Sequence, residues 1–271
     1  MSKTWFITGT SRGFGKAWTT AALERGDRVA ATARNTASLD ELVQQYGDAI
    51  LPIALDVTDR SAGQAAVQQA FDHFGRLDVV VNNAGYGHFG FVEEITEAEA
   101  REQLETNVFG ALWITQAAIP LMREQGSGHI VQVSSMGGVV AFPSLGIYHA
   151  SKWALEGLTE ALAQEVAMFG IRTTLIEPGG FATDWGTDSA VRSEGNPVYK
   201  PIRDAMAARA GGPAPTAQDS VAAVLAAVDA DEPPTRLLLT SVAYDMVQHV
   251  YEQRVQTWKA WEQTSRSADA S

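Results

Sequence analysis

Gly9, Gly13 and Gly15 restrict the fold more than any other feature of this 271-residue chain. They follow an apolar run, Trp5-Phe6-Ile7, and lead into a helical pattern that opens at Phe14. A strand that turns into a helix through three glycines lets the backbone bend tightly and approach a ligand closely, because no Cβ intervenes. The helix that follows then aims its free amide groups and positive dipole end at that ligand. The geometry suits a pyrophosphate, held by Gly9, Ser11, Arg12, Gly13, Phe14 and Gly15.

Strand and helix patterns alternate along the rest of the chain. Strands are expected at 4–8, 29–33, 50–55, 77–81, 130–134, 173–177 and 237–240, and the nearly all-apolar 77–81 is expected at the centre of a sheet. Helices are expected at 14–25, from a capping box at Ser38–Glu41, at 61–74, 97–123, 148–169 and 217–228, with a helical tail at 244–262. The alternation predicts an α/β fold: a Rossmann-type, doubly wound parallel sheet of about seven strands with helices on both faces. No linker or repeat divides the chain, so 1–271 reads as one dinucleotide-binding and catalytic domain. The glycine- and proline-rich stretch at 180–215 reads as a lid over the substrate.

Ligands of such sheets bind outside the carboxyl ends of the strands. Asp56-Val57 falls at one such end, suited to an adenine edge, and Asn82-Asn83-Ala84-Gly85 at another, suited to a turn past the ribose. The asparagines would also tie that turn to neighbouring strands. NAD sites carry an acid about 20 residues beyond the glycine loop. Here that region reads Ala31-Thr32-Ala33-Arg34-Asn35, without one. Arg34 and Arg12 offer two guanidiniums for a 2′-phosphate, so NADP(H) is expected over NAD(H).

Tyr148-His-Ala-Ser-Lys152 puts a phenol and an ammonium one helical turn apart on one face. A phenol, with pKa near ~10, needs neighbouring positive charge to work as an acid–base group at neutral pH, and Lys152 is placed to supply it. With Ser135 thirteen residues before Tyr148, and Asn107 further upstream, the set points to hydride transfer between a nicotinamide and a carbonyl or alcohol.

These motifs, with Pro178-Gly179-xxx-Thr183 after them, occur in the order of the short-chain dehydrogenase/reductase family, which the chain resembles in its ordinary single-domain branch. The loop Ser-Arg-Gly-Phe-Gly and the long tail are similar to the 17β-hydroxysteroid and retinol dehydrogenase members. The resemblance implies that Tyr148 is the acid in reduction and the base in oxidation, and that Lys152 lowers its pKa and bonds the nicotinamide ribose. It implies that Ser135 polarises the carbonyl, with the adjacent Ser134 as rival, and that Asn107 holds a relay water. A helix-interior asparagine bonded to backbone is the plain alternative for Asn107. Pro178, Gly179, Phe181 and Thr183 would close over the nicotinamide. The glycine and tyrosine spacings differ from those of nucleotide-sugar epimerases and of divergent enoyl reductases.

His88 and Trp185 are the candidate substrate contacts, in an apolar or aromatic pocket. The other histidines lack metal-ligand spacing, so no metal is expected. A net charge of -12 opposes a nucleic-acid partner, and no apolar run is long enough for a membrane. With no cysteine and no signal-peptide core, the chain reads as cytoplasmic. It is expected to act on a small carbonyl or alcohol as a homodimer or homotetramer. A catalytically silent NADP-binding sensor is the alternative, and the complete Asn107–Ser135–Tyr148–Lys152 set argues against it.

Overall fold

The computed structural model describes residues 2–186, 189–209, 212 and 214–269. Seven parallel strands form the central sheet: β1 (Thr4–Ile7), β2 (Arg28–Ala33), β3 (Ile50–Ala54), β4 (Val79–Asn82), β6 (Gly128–Val133), β7 (Ile171–Pro178) and β9 (Arg236–Leu239). Their order is β3-β2-β1-β4-β6-β7-β9. The chain winds outward from β1 to β3, then returns to place β4 on the other side of β1. The carboxyl ends of β1 and β4 therefore open a crevice at the switch point. A second, two-stranded parallel ribbon joins β5 (His88–Phe89) to β8 (Val191–Arg192).

Side chains alternate across the strands, so the sheet has two cores. Trp5 and Ile7 face one of them, with Trp18 and Leu23 of α1 (Gly13–Glu24), Leu42 of α2 (Asp40–Tyr46) and Val224 of α8 (Val221–Asp229). The Trp18 indole N–H donates to Ser220 Oγ at 2.8 Å, which pins α1 to the turn leading into α8. Phe6 faces the other core, with Val67 of α3 (Arg60–Phe74), Ile114 of α5 (Ala111–Gln125) and Leu162 of α6 (Gly146–Val166).

Three expectations about local structure change. The Ser38–Glu41 capping box does not form. Asn35 caps first, accepting from Ala37 N at 3.1 Å, and the 3-10 turn Thr36–Leu39 that this starts delays α2 to Asp40. The expected single helix at 97–123 is α4 (Glu97–Leu104) and α5 joined by a π turn, Glu105–Gly110, which carries Asn107. Such a turn holds an extra residue and re-aims a side chain inside a helix. The stretch 180–215 is not wholly irregular: it contains β8 and α7 (Lys200–Arg209). Residues 187, 188, 210, 211 and 213 of that expected lid lie outside the described residues. The tail forms α9 (Ser241–Ala260) and α10 (Glu262–Arg266). No helix among the described residues is long and apolar enough to cross a membrane.

Candidate active site

The crevice at the switch point is a cleft of about 1000 Å3. At one end, Gly9 (φ 69°) and Gly13 (φ 56°) occupy the left-handed region. Arg12 precedes α1 with extended backbone and makes no side-chain cap. The amide groups of the first turn of α1 are therefore not taken by a cap, as an anion site requires. Gly15 faces the other way: a Cβ there would overlap the carbonyl of Gly9 and lie 2.6 Å from Asn83 Nδ2. Asn83 Nδ2 donates to the carbonyls of Thr8 (2.8 Å) and Gly9 (3.0 Å), while Thr8 Oγ1 accepts from Asn83 N and Ala84 N, both at 2.9 Å. The glycine loop is thus strapped to the end of β4. Along the floor, the Asp56 carboxyl is held below its usual range, first by the backbone N–H of Thr58 and also by its hydroxyl and by the Arg34 charge.

At the other end, β6 runs into Ser135, whose backbone is extended and whose Oγ accepts from Gly137 N at 3.0 Å. α6 brings Tyr148 and Lys152 to the cleft wall, both buried. Burial pushes the Tyr148 phenol up to about 12, and a side-chain hydrogen bond with Ser135 works against that rise. Burial pushes Lys152 down to about 8. Its ammonium donates to Val133 O at 2.8 Å and lies 5.8 Å from the centre of the Tyr148 ring. Desolvation is the larger influence on this buried phenol, and the Lys152 hydrogen bond goes to backbone. At neutral pH the Tyr148 phenol is protonated and Lys152 is mostly cationic.

Asn107 is buried beneath this wall. Its Oδ1 accepts from Tyr86 N, and its Nδ2 donates to Tyr86 O and Ser151 Oγ, all at 3.1 Å. Gly85 leaves room for it, since a Cβ there would lie 3.0 Å from Asn107 Oδ1 and 3.7 Å from Lys152 Nζ. His149, one residue after Tyr148, has a role the sequence did not signal. Its Nε2 accepts from Phe142 N at 3.0 Å, so its Nδ1 carries the proton given to Gly137 O at 2.9 Å. The ring is neutral, its pKa lowered by burial, and it locks α6 to the loop holding Ser135.

Of the residues expected in the site, all but Gly15, Asn82, Asn107 and His88 line the cleft. Gly15 is a packing contact between loop and helix. Asn82 is buried and donates to Thr115 Oγ1 at 2.9 Å, bracing β4 against α5. His88 is fully buried, with Nε2 2.8 Å from Ser193 Oγ, and does not line the cleft. Its neighbour Phe89 instead packs against Trp185, at 5.5 Å between ring centres. Ser134, the rival to Ser135, has a buried hydroxyl with no partner among the described residues. Tyr86, in the stretch after β4 that was expected to border the cleft, lines it. Glu102, Glu105 and Thr106 also line it and were not foreseen; they come from the end of α4 and the π turn, which a smooth helical periodicity hides.

The model of the short chain dehydrogenase family matches residues 3–192. The chain belongs to that family. It is 42% identical over 244 residues to oxidoreductase BOA17 of Botryotinia fuckeliana, covering 88% of this chain and 89% of that one. A short-chain dehydrogenase from Streptomyces avermitilis is 40% identical, with a TM-score of 0.94 over 100% of both chains. Two solved short-chain dehydrogenases carry different nucleotides. One from Burkholderia cenocepacia is in complex with NADP (26% identity, TM-score 0.77, 96% of this chain and 97% of that chain). One from Burkholderia phymatum is in complex with NAD (25% identity, TM-score 0.80, 94% and 95%). As a short-chain dehydrogenase the protein is an oxidoreductase. Its cleft fits a nicotinamide dinucleotide: left-handed glycines and an uncapped helix start at one end, a phenol and an ammonium at the other.

Proposed function

We propose that this short-chain dehydrogenase interconverts a ketone or aldehyde and the corresponding alcohol on an apolar or aromatic small molecule, with NADP(H) as cofactor. The observation that carries the reading is the placement of Tyr148, Lys152 and Ser135 at one end of a single cleft whose other end holds Arg12 and Arg34. When bound, the nicotinamide supplies or accepts the hydride. In reduction, Tyr148 gives its proton to the carbonyl oxygen as charge builds there, the role that a phenol kept protonated at neutral pH suits. Ser135 donates a hydrogen bond to the same oxygen, holding it in place and stabilising the developing charge. The Lys152 ammonium offsets the negative charge left on the phenol and bonds the nicotinamide ribose. Asn107 holds the loop at Tyr86 and the start of α6 in register, and supports a water that returns a proton to Tyr148.

Arg12 and Arg34 border the cleft, and the segment that ends β2, Ala31-Thr32-Ala33-Arg34-Asn35, contains no acidic residue. That supports recognition of a 2′-phosphate by charge-assisted hydrogen bonds. The proposal includes a single catalytic domain, working in the cytoplasm as a homodimer or homotetramer. The test is oxidation of NADPH and, in parallel, NADH, against aldehydes, ketones and quinones. Turnover with higher kcat/KM for NADPH is the expected result. Preference for NADH overturns the arginine argument, and cofactor binding without turnover favours a sensor.

A further inference from the structure

Trp185 stands against the catalytic phenol. Its ring centre is 4.9 Å from that of Tyr148, at an interplanar angle of 59°, and it borders the cleft. It reaches this place only because residue 87 is glycine. A Cβ on Gly87 would lie 2.5, 2.6 and 3.0 Å from three atoms of the indole. The backbone of Gly87 is not in the left-handed region, so glycine is needed there for room and not for conformation.

The indole is also braced from behind. Phe89 packs on it, and the Arg192 guanidinium covers Phe89 at 5.0 Å. The ribbon of β5 and β8 is closed by Val191 N to Gly87 O (3.0 Å) and Ser193 N to Phe89 O (2.9 Å). Arg192 also donates to Gly186 O at 2.7 Å, holding the backbone next to Trp185. Beneath the ribbon, Ser193 Oγ joins His88 to the Glu99 carboxylate of α4 at 3.1 Å. A side chain held by this many contacts behaves as a wall.

We propose that Trp185, seated on Gly87 against the Tyr148 ring, is a specificity-determining residue that admits only a small substituent on its side of the substrate carbonyl. The inference rests on the carbonyl-reductase reading above. Once Tyr148 and Ser135 fix the carbonyl oxygen, one substituent is directed beside the phenol, where the indole already fills the space. The other substituent extends into the open part of the cleft. Aldehydes and methyl ketones are accepted, and ketones branched next to the carbonyl on the wall side are rejected.

The test is kcat/KM with NADPH along a matched series, benzaldehyde, acetophenone, propiophenone and isobutyrophenone, for the wild type, Trp185→Ala and Gly87→Ala. The wild type should fall steeply along the series. Trp185→Ala should reduce the acetophenone-to-isobutyrophenone ratio by about 10-fold or more, the range by which an extra methylene is discriminated in an apolar pocket. Gly87→Ala should shift the ratio in the same direction by displacing the indole. The ratio is a selectivity, which a general loss of folding does not move. Reduction of acetophenone with the ratio unchanged in both variants overturns the wall alone. A wild type that reduces none of the series overturns the reductase reading and the wall with it.

Discussion

Gly15→Ala should destabilise the protein although position 15 lies within helix α1, where alanine is otherwise the better residue by about 1 kcal/mol. The new methyl would overlap Gly9 O and lie 2.6 Å from Asn83 Nδ2 and 2.9 Å from Gly9 C. Two of these three atoms are backbone, so the clash cannot be relieved by a rotamer change. Relief requires moving α1 away from the loop, which strains the strap from Asn83 to Thr8 O and Gly9 O. Overpacking costs about 1–3 kcal/mol, and each weakened hydrogen bond about 1 kcal/mol. After the helix gain, a net loss of about 2–4 kcal/mol remains. At about 2–4 °C per kcal/mol for a chain somewhat above 250 residues, Tm should drop by about 5–15 °C. Calorimetry or thermal fluorescence measures this, and NADPH titration should show weaker binding as the loop shifts. Gly157→Ala is the control: it lies on α6 with nothing within 4 Å of a new Cβ, so it should be neutral or slightly stabilising. Equal Tm values for Gly15→Ala and the wild type would refute the strapped-loop reasoning.

Two further outcomes follow from buried charge. Because burial brings Lys152 down to about 8, kcat/KM for carbonyl reduction should decline as pH rises through about 8, where the ammonium is lost in the free enzyme; a profile flat to pH 10 would contradict it. Glu177, raised from 4.5 to about 7 by burial and then by Glu160, shares Arg236 with Glu156 and Glu160. A raised folded-state pKa favours folding below about pH 4.5 and loses that contribution as pH rises through about 7. Glu177→Gln should therefore match the wild type near pH 5 and exceed it above pH 7, by at most about 3 kcal/mol, in denaturant unfolding at both pH values. A pH-independent difference would contradict it.

The elements that were legible in the sequence are those governed by short-range pattern. Gly9 and Gly13 announce a left-handed turn, and Trp5-Phe6-Ile7 a strand whose neighbours point to opposite cores. Tyr148 and Lys152 need only one helical turn to meet at the cleft. The remaining features depend on contacts and turns that a short-range pattern does not carry. His88 Nε2 meets Ser193 Oγ, 105 residues later, and the ring is buried away from the cleft. The place of Trp185 depends on the absence of a side chain at Gly87. At Ser38 two capping signals competed, and Asn35 came first in the chain and started the turn. His149 looked incidental because its partners, Gly137 and Phe142, belong to a loop without periodicity. The acids Glu102 and Glu105 reach the cleft through the π turn region, which helical spacing conceals.

The most direct test of the account is carbonyl reduction by Tyr148→Phe beside the wild type, with NADPH affinity measured on both. Phenylalanine keeps the ring that packs on Trp185 and removes only the hydroxyl. The account predicts NADPH binding within a few-fold of wild type and a loss of turnover of about 10²–10⁴-fold, the contribution of a positioned general acid. Turnover at the wild-type level would contradict the assignment of Tyr148 as the proton donor.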